Sequence, residues 1–204
     1  AAAKAFNVPI VGGHSNHHSP YAALAVAILG RANCLLTSFN AQVGDVLMLV
    51  ADFDGQPYAD YPFWDAATQQ DPARLQMNLE LLPQLAEAGW CDTAKDISMG
   101  GIVGTTLMLI ETSGCGAVLD LDRIPYPPAL TLERWLVSFP SYGFLLSVRS
   151  PQVATVQAHF QTQGLVCAAI GAIVATPTLT LRTSSDQATL WDLRETPLTG
   201  FAGV

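Results

Sequence analysis

The sequence predicts a mixed α/β or α+β domain, a sheet with helices packed on it. Three observations carry that prediction. Half of the 204 residues are apolar and 13% are charged, against roughly 25% in an average soluble domain, so a large core is available and disorder is excluded. Short apolar, β-rich runs alternate with longer stretches of helical spacing, with some neighbouring strands between them. Glycine pairs and X-Pro steps punctuate the boundaries.

In chain order, residues 1–6 read as the tail of a helix with no capping residue before it, running into Asn7-Val8-Pro9-Ile10-Val11-Gly12-Gly13. Residues 8–11 read as a short strand closed by that glycine pair. Residues 21–30 are helical by composition, but a Ser-Pro turn before them and Gly-Arg after make a buried strand at least as good a reading. A turn at 41–45 precedes a strand over 46–50, and the aromatic, proline-bearing stretch 56–65 reads as a loop. Asp71-Pro72 open a helix over 73–87 with Leu75, Leu79, Leu82 and Ala86 on its apolar face and Pro83 as a possible kink. A glycine-rich turn over 96–101 leads into an apolar helix over 102–112 that stops near Gly114 and Gly116. Strand 117–121, a short helix over 132–139, strand 143–148, helix 153–163, strands 166–174 and 179–181 and an irregular tail over 196–201 complete the chain.

The charge balance is −8 at pH 7, and only two of the nine bases are lysines. Unspecific nucleic-acid binding, which runs on a dense basic surface, is therefore excluded, whereas a small anionic ligand is not. The longest apolar runs fall short of the ~18–20 residues of a membrane span, and no secretory signal is visible. Cys34, Cys91, Cys115 and Cys167 form no C-x-x-C pair and read as buried free thiols of a cytoplasmic protein.

Two glycine clusters could carry chemistry. In Gly12-Gly13-His14-Ser15-Asn16-His17-His18, glycines let backbone amides approach an anion and the imidazoles donate hydrogen bonds. A metal at His14, His17 and His18 is the weaker reading, because a loop of this spacing has no defined ligand geometry; no metal ligand is assigned. In Lys95-Asp96-Ile97-Ser98-Met99-Gly100-Gly101, Ser98 is placed to cap the following helix. Gly100 and Gly101 would leave first-turn amides open to a phosphate, with Lys95 or Arg31 as counter-charge. Trp64, Trp90, Trp135 and Trp191 read as packing. Asp52-Phe53-Asp54 and Asp120-Leu121-Asp122 read as solvated strand ends before they read as magnesium ligands.

The order of motifs resembles one superfamily. V-P-I-V-G-G-H-S, L-A-V-A-I-L-G-R and L-L-T-S-F-N-A-Q-V-G-D-V-L-M-L look like the middle third of selenophosphate synthetase or thiamine-monophosphate kinase. K-D-I-S-M-G-G-I-V-G-T-T-L-M-L and G-C-G-A-V-L-D-L-D-R-I-P resemble the D-I-S-D-G-G helix and strand of that group, and F-P-S-Y-G-F-L-L-S-V and G-L-V-C-A-A-I-G-A-I-V its C-terminal strands. The group is the aminoimidazole ribonucleotide synthetase-like, or PurM-like, superfamily, with the nearest likeness to AIR synthase-related proteins.

The resemblance implies ATP-dependent phosphorylation or activation of an oxygen or amide of a small molecule, with ATP and Mg²⁺ held mainly by carboxylates of an N-terminal domain that also forms a homodimer. It further implies that residues 1–32 are the last helix and strands of that domain and residues 33–204 a PurM-like C-terminal domain, so that the fragment alone is inactive without its N-terminal partner. Gly12, Gly13, Asn16, Ser98, Gly100 and Gly101 would bind phosphate and substrate, and His14 and Asp96 would be catalytic. Met99 stands where several relatives carry an Asp, and His14 where others carry a Glu or Asp. The alternative is a non-catalytic anion- or metabolite-binding and interaction module of the same fold.

Overall fold

The computed structural model describes residues 2–201. A seven-stranded sheet organises the chain, in the order β10-β9-β5-β8-β1-β7-β4. These are β1 (Val46–Ala51), β4 (Ala94–Asp96), β5 (Gly116–Asp120), β7 (Gly143–Val148), β8 (Val166–Val174), β9 (Thr178–Arg182) and β10 (Gln187–Asp192). All neighbours are antiparallel except β5 and β9. A second, three-stranded sheet joins β2 (Gln56–Pro57), β3 (Phe63–Asp65) and β6 (Phe139–Pro140).

Helices cover both faces of the large sheet: α2 (Pro72–Glu87) and α5 (Val153–Gln161) on one, α3 (Gly101–Ser113) and α4 (Leu132–Leu136) on the other. The period-two alternation of β1 makes this possible. Leu47, Leu49 and Ala51 pack with Ile102, Leu109 and Trp135, while Met48 and Val50 pack with Leu81, Leu85, Val156 and Phe160. A central strand buried on both faces reads as a continuous apolar run, as V-L-M-L-V-A does. Trp135 is fully buried and meets Phe53 and Trp64 edge-on, at centroid distances of 5.5 and 6.3 Å. Trp90 and Trp191 sit half-buried against the two cores.

Asp71 caps α2 by accepting from the Ala73 amide, with Pro72 in the first turn where its missing N–H costs nothing. The helix continues through Pro83 to Glu87. Its buried side is Leu75, Asn78, Leu81, Leu85 and Ala86, and Leu79, expected on the apolar face, is exposed.

Several expectations are corrected. Apart from α1 (Ala2–Ala5), residues 2–45 form no regular helix or strand; the expected strand over 8–11 and strand or helix over 21–30 are extended, exposed chain. Val11, Leu24 and Leu29 are at least 90% exposed, because none of the described residues offers them a surface, and a strand without a partner does not persist. Ala1 of the expected opening helix and residues 202–204 of the second expected domain lie outside the described residues. The stretch 56–65 holds two short strands rather than a loop alone, and β4 and β10 were not expected. Cys34 is exposed, unlike the other thiols. Burial pushes Cys91 and Cys115 up to about 11 and Cys167 to about 12, so these three are unreactive at neutral pH.

One carboxylate gathers the amides of the irregular tail, which Trp191 Nε1 also holds by donating to Thr196 O. Glu111, buried on α3, accepts from the amides of Leu198, Thr199 and Gly200 and from the Thr199 hydroxyl. Burial raises its pKa, but these donors outweigh burial and hold the carboxyl below its usual range. The native state therefore binds the Glu111 proton more weakly than the unfolded chain. Its stabilisation is present above about pH 4.3 and is lost as pH falls through the lowered native value. Glu111→Ala is expected to cost about 2 kcal/mol in urea unfolding and to speed amide exchange at Leu198–Gly200. A variant whose tail amides keep their protection would refute the clamp.

Candidate functional site

The β4–α3 connection lies at the edge of the large sheet, where β4 pairs with β7 and its Ala94 amide donates to Thr37 O on the other side. Asp96 lies opposite Phe144, and the Ile97 amide extends the ladder by donating to Gly143 O. Ile97 is buried and fixes the turn, while Asp96, Met99 and Gly100 are exposed around it. Lys95 Nζ pairs with the Asp96 carboxylate.

Ser98 does not cap α3. The N-cap is Gly100, with no side-chain bond, and the Ser98 amide donates instead to Thr105 Oγ1 at 3.2 Å. The Gly101 amide is not open either, since it donates to Ser98 O at 2.9 Å. Gly101 has φ +63°, and a Cβ there would lie 2.4 Å from Leu136 O and 2.5 Å from Val137 C. The glycine is thus explained by close packing of α3 against the end of α4. The phosphate seat expected from the glycine pair is reduced to the exposed neighbourhood of Gly100, because the helix start is packed against protein.

Two cavities flank this edge and share Asp96 and Phe144. The larger, about 830 Å³, lies between residues 31–38, the C-terminal half of α2 and β4, and presents Arg31, Cys34, Glu87 and Lys95. The smaller, about 430 Å³, presents Phe63, Ser98, Met99 and Phe139. The structure therefore brings Arg31, Lys95 and Asp96 to the larger cavity and Asp96 and Ser98 to the smaller, and the two cavities meet at Asp96 and Phe144. It does not bring the other cluster there. Gly12, Gly13, His14 and Asn16 are exposed, a Cβ at either glycine would meet nothing within 4 Å, and Asn16 bonds only the His18 amide.

Sequence reading missed Phe63, Phe139 and Phe144 as groove residues. The signal was the density of rings over 56–65 and around F-P-S-Y-G-F, but only the parallel pairing of β3 with β6, which sets Phe63 beside Phe139, makes a wall of them.

Among the described residues no group of three or more His, Cys, Asp or Glu could hold a metal ion. Asp52 and Asp54 are bridged by Arg74, and Asp52 is buried rather than solvated. Asp120 pairs with Arg182, and Asp122 accepts from the Ser184 amide. These carboxylates are engaged by protein partners, and the described residues do not assemble a ligand set that fits magnesium.

The seven-stranded, mostly antiparallel sheet with helices on both faces is the fold of a PurM-like C-terminal domain. Residues 42–184 match the family described as AIR synthase related protein, C-terminal domain, and the chain belongs to that family. It is 58% identical over all 204 residues to the uncharacterized protein sll0787 of Synechocystis sp., of which it spans 63%, so the chain covers less than two thirds of that relative's length. In structure it is similar to Thermotoga maritima PurL complexed with ATP, with a TM-score of 0.62 and 20% identity over 76% of this chain and 26% of that one. It is likewise similar to E. coli HypE, a hydrogenase maturation protein, with a TM-score of 0.59 and 16% identity over 83% of this chain and 56% of that one. Among the described residues no helix is long and apolar enough to cross a membrane.

Proposed function

We propose that the chain is the C-terminal part of a cytoplasmic, homodimeric, ATP-dependent enzyme that phosphorylates or activates an oxygen or amide of a small molecule. Family membership carries this reading, supported by the solved complex of PurL with ATP. In the division we propose, residues 33–204 form the domain that presents the groove. Residues 1–32 pack with an ATP-holding domain within the additional length that the Synechocystis relative has. The exposed apolar side chains between Ile10 and Leu29 are consistent with such a partner surface.

ATP, when bound, supplies the phosphoryl group. The roles of this chain's residues follow from their chemistry. Asp96, mostly exposed at the junction of the two cavities, is a carboxylate placed to take a proton from the attacking group. Lys95 neutralises it between turnovers, and Arg31 with Lys95 offers positive charge to an anionic part of the substrate. Ser98 and Gly100 supply neutral donors. His14, with Gly12, Gly13 and Asn16, would join from the loop once residues 1–32 are packed, and Gly101 serves by bringing α3 close.

The test is Mg-ATP turnover by the full-length protein. Asp96→Asn is expected to lower turnover about a hundredfold or more while leaving Mg-ATP binding and the melting temperature unchanged, since the side chain is exposed. Binding of nucleotide with no turnover by the wild-type protein would favour the non-catalytic metabolite-binding module instead.

A further inference from the structure

The two halves of the groove differ in chemistry. The larger carries Arg31 and Lys95, whereas the smaller has no Lys, Arg or His among its lining residues. Three of its ten lining residues are phenylalanines, Phe63, Phe139 and Phe144, and two tyrosines outside the lining back them. Phe63 and Phe139 lie 5.0 Å apart at 37°, Tyr58 meets Phe63 edge-on at 5.9 Å, and Tyr142 meets Phe144 edge-on at 5.1 Å. Phe63, Phe139 and Phe144 are each half-buried, so they keep exposed surface beside the cavity, and Met99 stands 75% exposed at its lip. The polar groups are few. The Ser141 hydroxyl is committed to Trp64 O and the Ala66 amide. That leaves the Asp96 carboxylate as an acceptor and the Ser98 hydroxyl, whose one contact is the weak 3.9 Å approach to Met108 Sδ.

We propose that the smaller cavity receives a planar ring, neutral or cationic, that carries an N–H donor, and that Phe63 and Phe139 select it. The proposal rests on the reading of the groove as a substrate site and names the class of substrate. Flat apolar walls favour a ring because aromatic faces gain from offset or edge contact beyond their buried area. An anion is disfavoured, since it would meet the negative ring faces while the nearest cation, Lys95, is already paired with Asp96; a cationic ring gains from the ring faces, and its N–H can use the remaining lone pairs of Asp96. A volume of about 430 Å³ accommodates one or two fused rings.

The probe is 2-aminobenzimidazole, planar with an amidine-type donor, titrated into the full-length protein by ligand-observed NMR. Benzimidazole-2-carboxylate and cyclohexylamine are the anionic and non-planar counterparts, and Mg-ATP binding is measured on the same samples. We expect 2-aminobenzimidazole to bind at least tenfold more tightly than either counterpart. Phe139→Leu and, separately, Phe63→Leu are each expected to weaken it about tenfold, since both keep apolar bulk and remove the ring. Asp96→Asn is expected to weaken it by a similar factor. Mg-ATP binding should be unchanged in the two leucine variants. Equal binding of cyclohexylamine or of the carboxylate, indifference to both leucine variants, or no binding of the ring by protein that binds Mg-ATP normally overturns the proposal and leaves the ATP-dependent reading standing. Loss of Mg-ATP binding alone, with ring binding intact, sinks that reading and not this one.

Discussion

Gly116→Ala is expected to be the most damaging single-methyl change in the chain, destabilising it by about 4 kcal/mol or more and leaving little folded protein. A Cβ at Gly116 would lie 1.8 Å from Thr176 O, in the turn between β8 and β9, and 2.7 Å from Thr178 O, at the start of β9; both are backbone atoms. No rotamer can relieve that overlap. β5 sits between β8 and β9, hydrogen-bonded to both, so moving it aside strains two ladders at once. Gly114→Ala, two residues away, is the control. Its φ of +66° is left-handed, but a Cβ there meets nothing within 4 Å, so the cost is only the backbone strain of about 1 kcal/mol. Urea unfolding of both variants separates the two mechanisms, and similar midpoints for the two would show that the close approach at Gly116 is relieved cheaply.

The same contrast explains what was legible in the sequence. Runs such as V-L-M-L-V-A and V-C-A-A-I-G-A-I-V announce strands because both faces of the sheet are covered, and the apolar run closed by Gly114 announces α3. Local pattern and tertiary burial agree in these elements. They disagree at 8–11 and 21–30, where the pattern is as apolar but no described residue buries it. β10 was missed for the opposite reason. Gln187–Asp192 is an edge strand with four exposed residues, and it owes its conformation to pairing with β9 rather than to its own sequence.

The site was half legible. Lys95, Asp96 and Ser98 stood out through the glycine pair beside them, and they do line the groove. The inference that the glycines open the helix start to an anion failed at Gly101, because a glycine permits close approach by protein as readily as by a ligand. Which of the two it serves depends on Leu136 and Val137, 35 residues or more along the chain. The phenylalanine wall was invisible for a related reason, since Phe63 and Phe139 become neighbours only through a parallel pairing across the intervening chain.

Removing Arg74 is the second large effect, and it carries a pH signature. Arg74 Nη2 donates to Asp52 Oδ1 at 3.0 Å and Oδ2 at 3.2 Å, and Nη1 pairs with Asp54, which also accepts from Gln70 at 3.1 Å. Asp52 is 1% exposed and ties three elements together: its amide donates to Tyr142 O, its carbonyl accepts from Trp64 Nε1, and its carboxylate accepts from the Asp54 amide. Arg74→Met keeps the apolar stem but strands a buried carboxylate, and a cost of about 3–5 kcal/mol is expected at neutral pH. Adding Asp52→Asn should recover much of it, because no unpaired charge then remains buried. Burial is the dominant influence on Asp52 and raises its carboxyl above the usual range, with the Asp54 amide and Arg74 pulling it down and the Asp54 charge pushing it up. A raised native pKa means that the native state binds this proton more tightly than the unfolded chain. The group's contribution is therefore fully present below about pH 3.9 and is lost as pH rises through the raised native value. Without Arg74 the native value rises further, so the deficit of Arg74→Met should be small near pH 4 and grow towards neutrality. Urea midpoints of wild type and variant from pH 4 to pH 8 measure this directly; a deficit independent of pH would mean that Arg74 acts through packing alone.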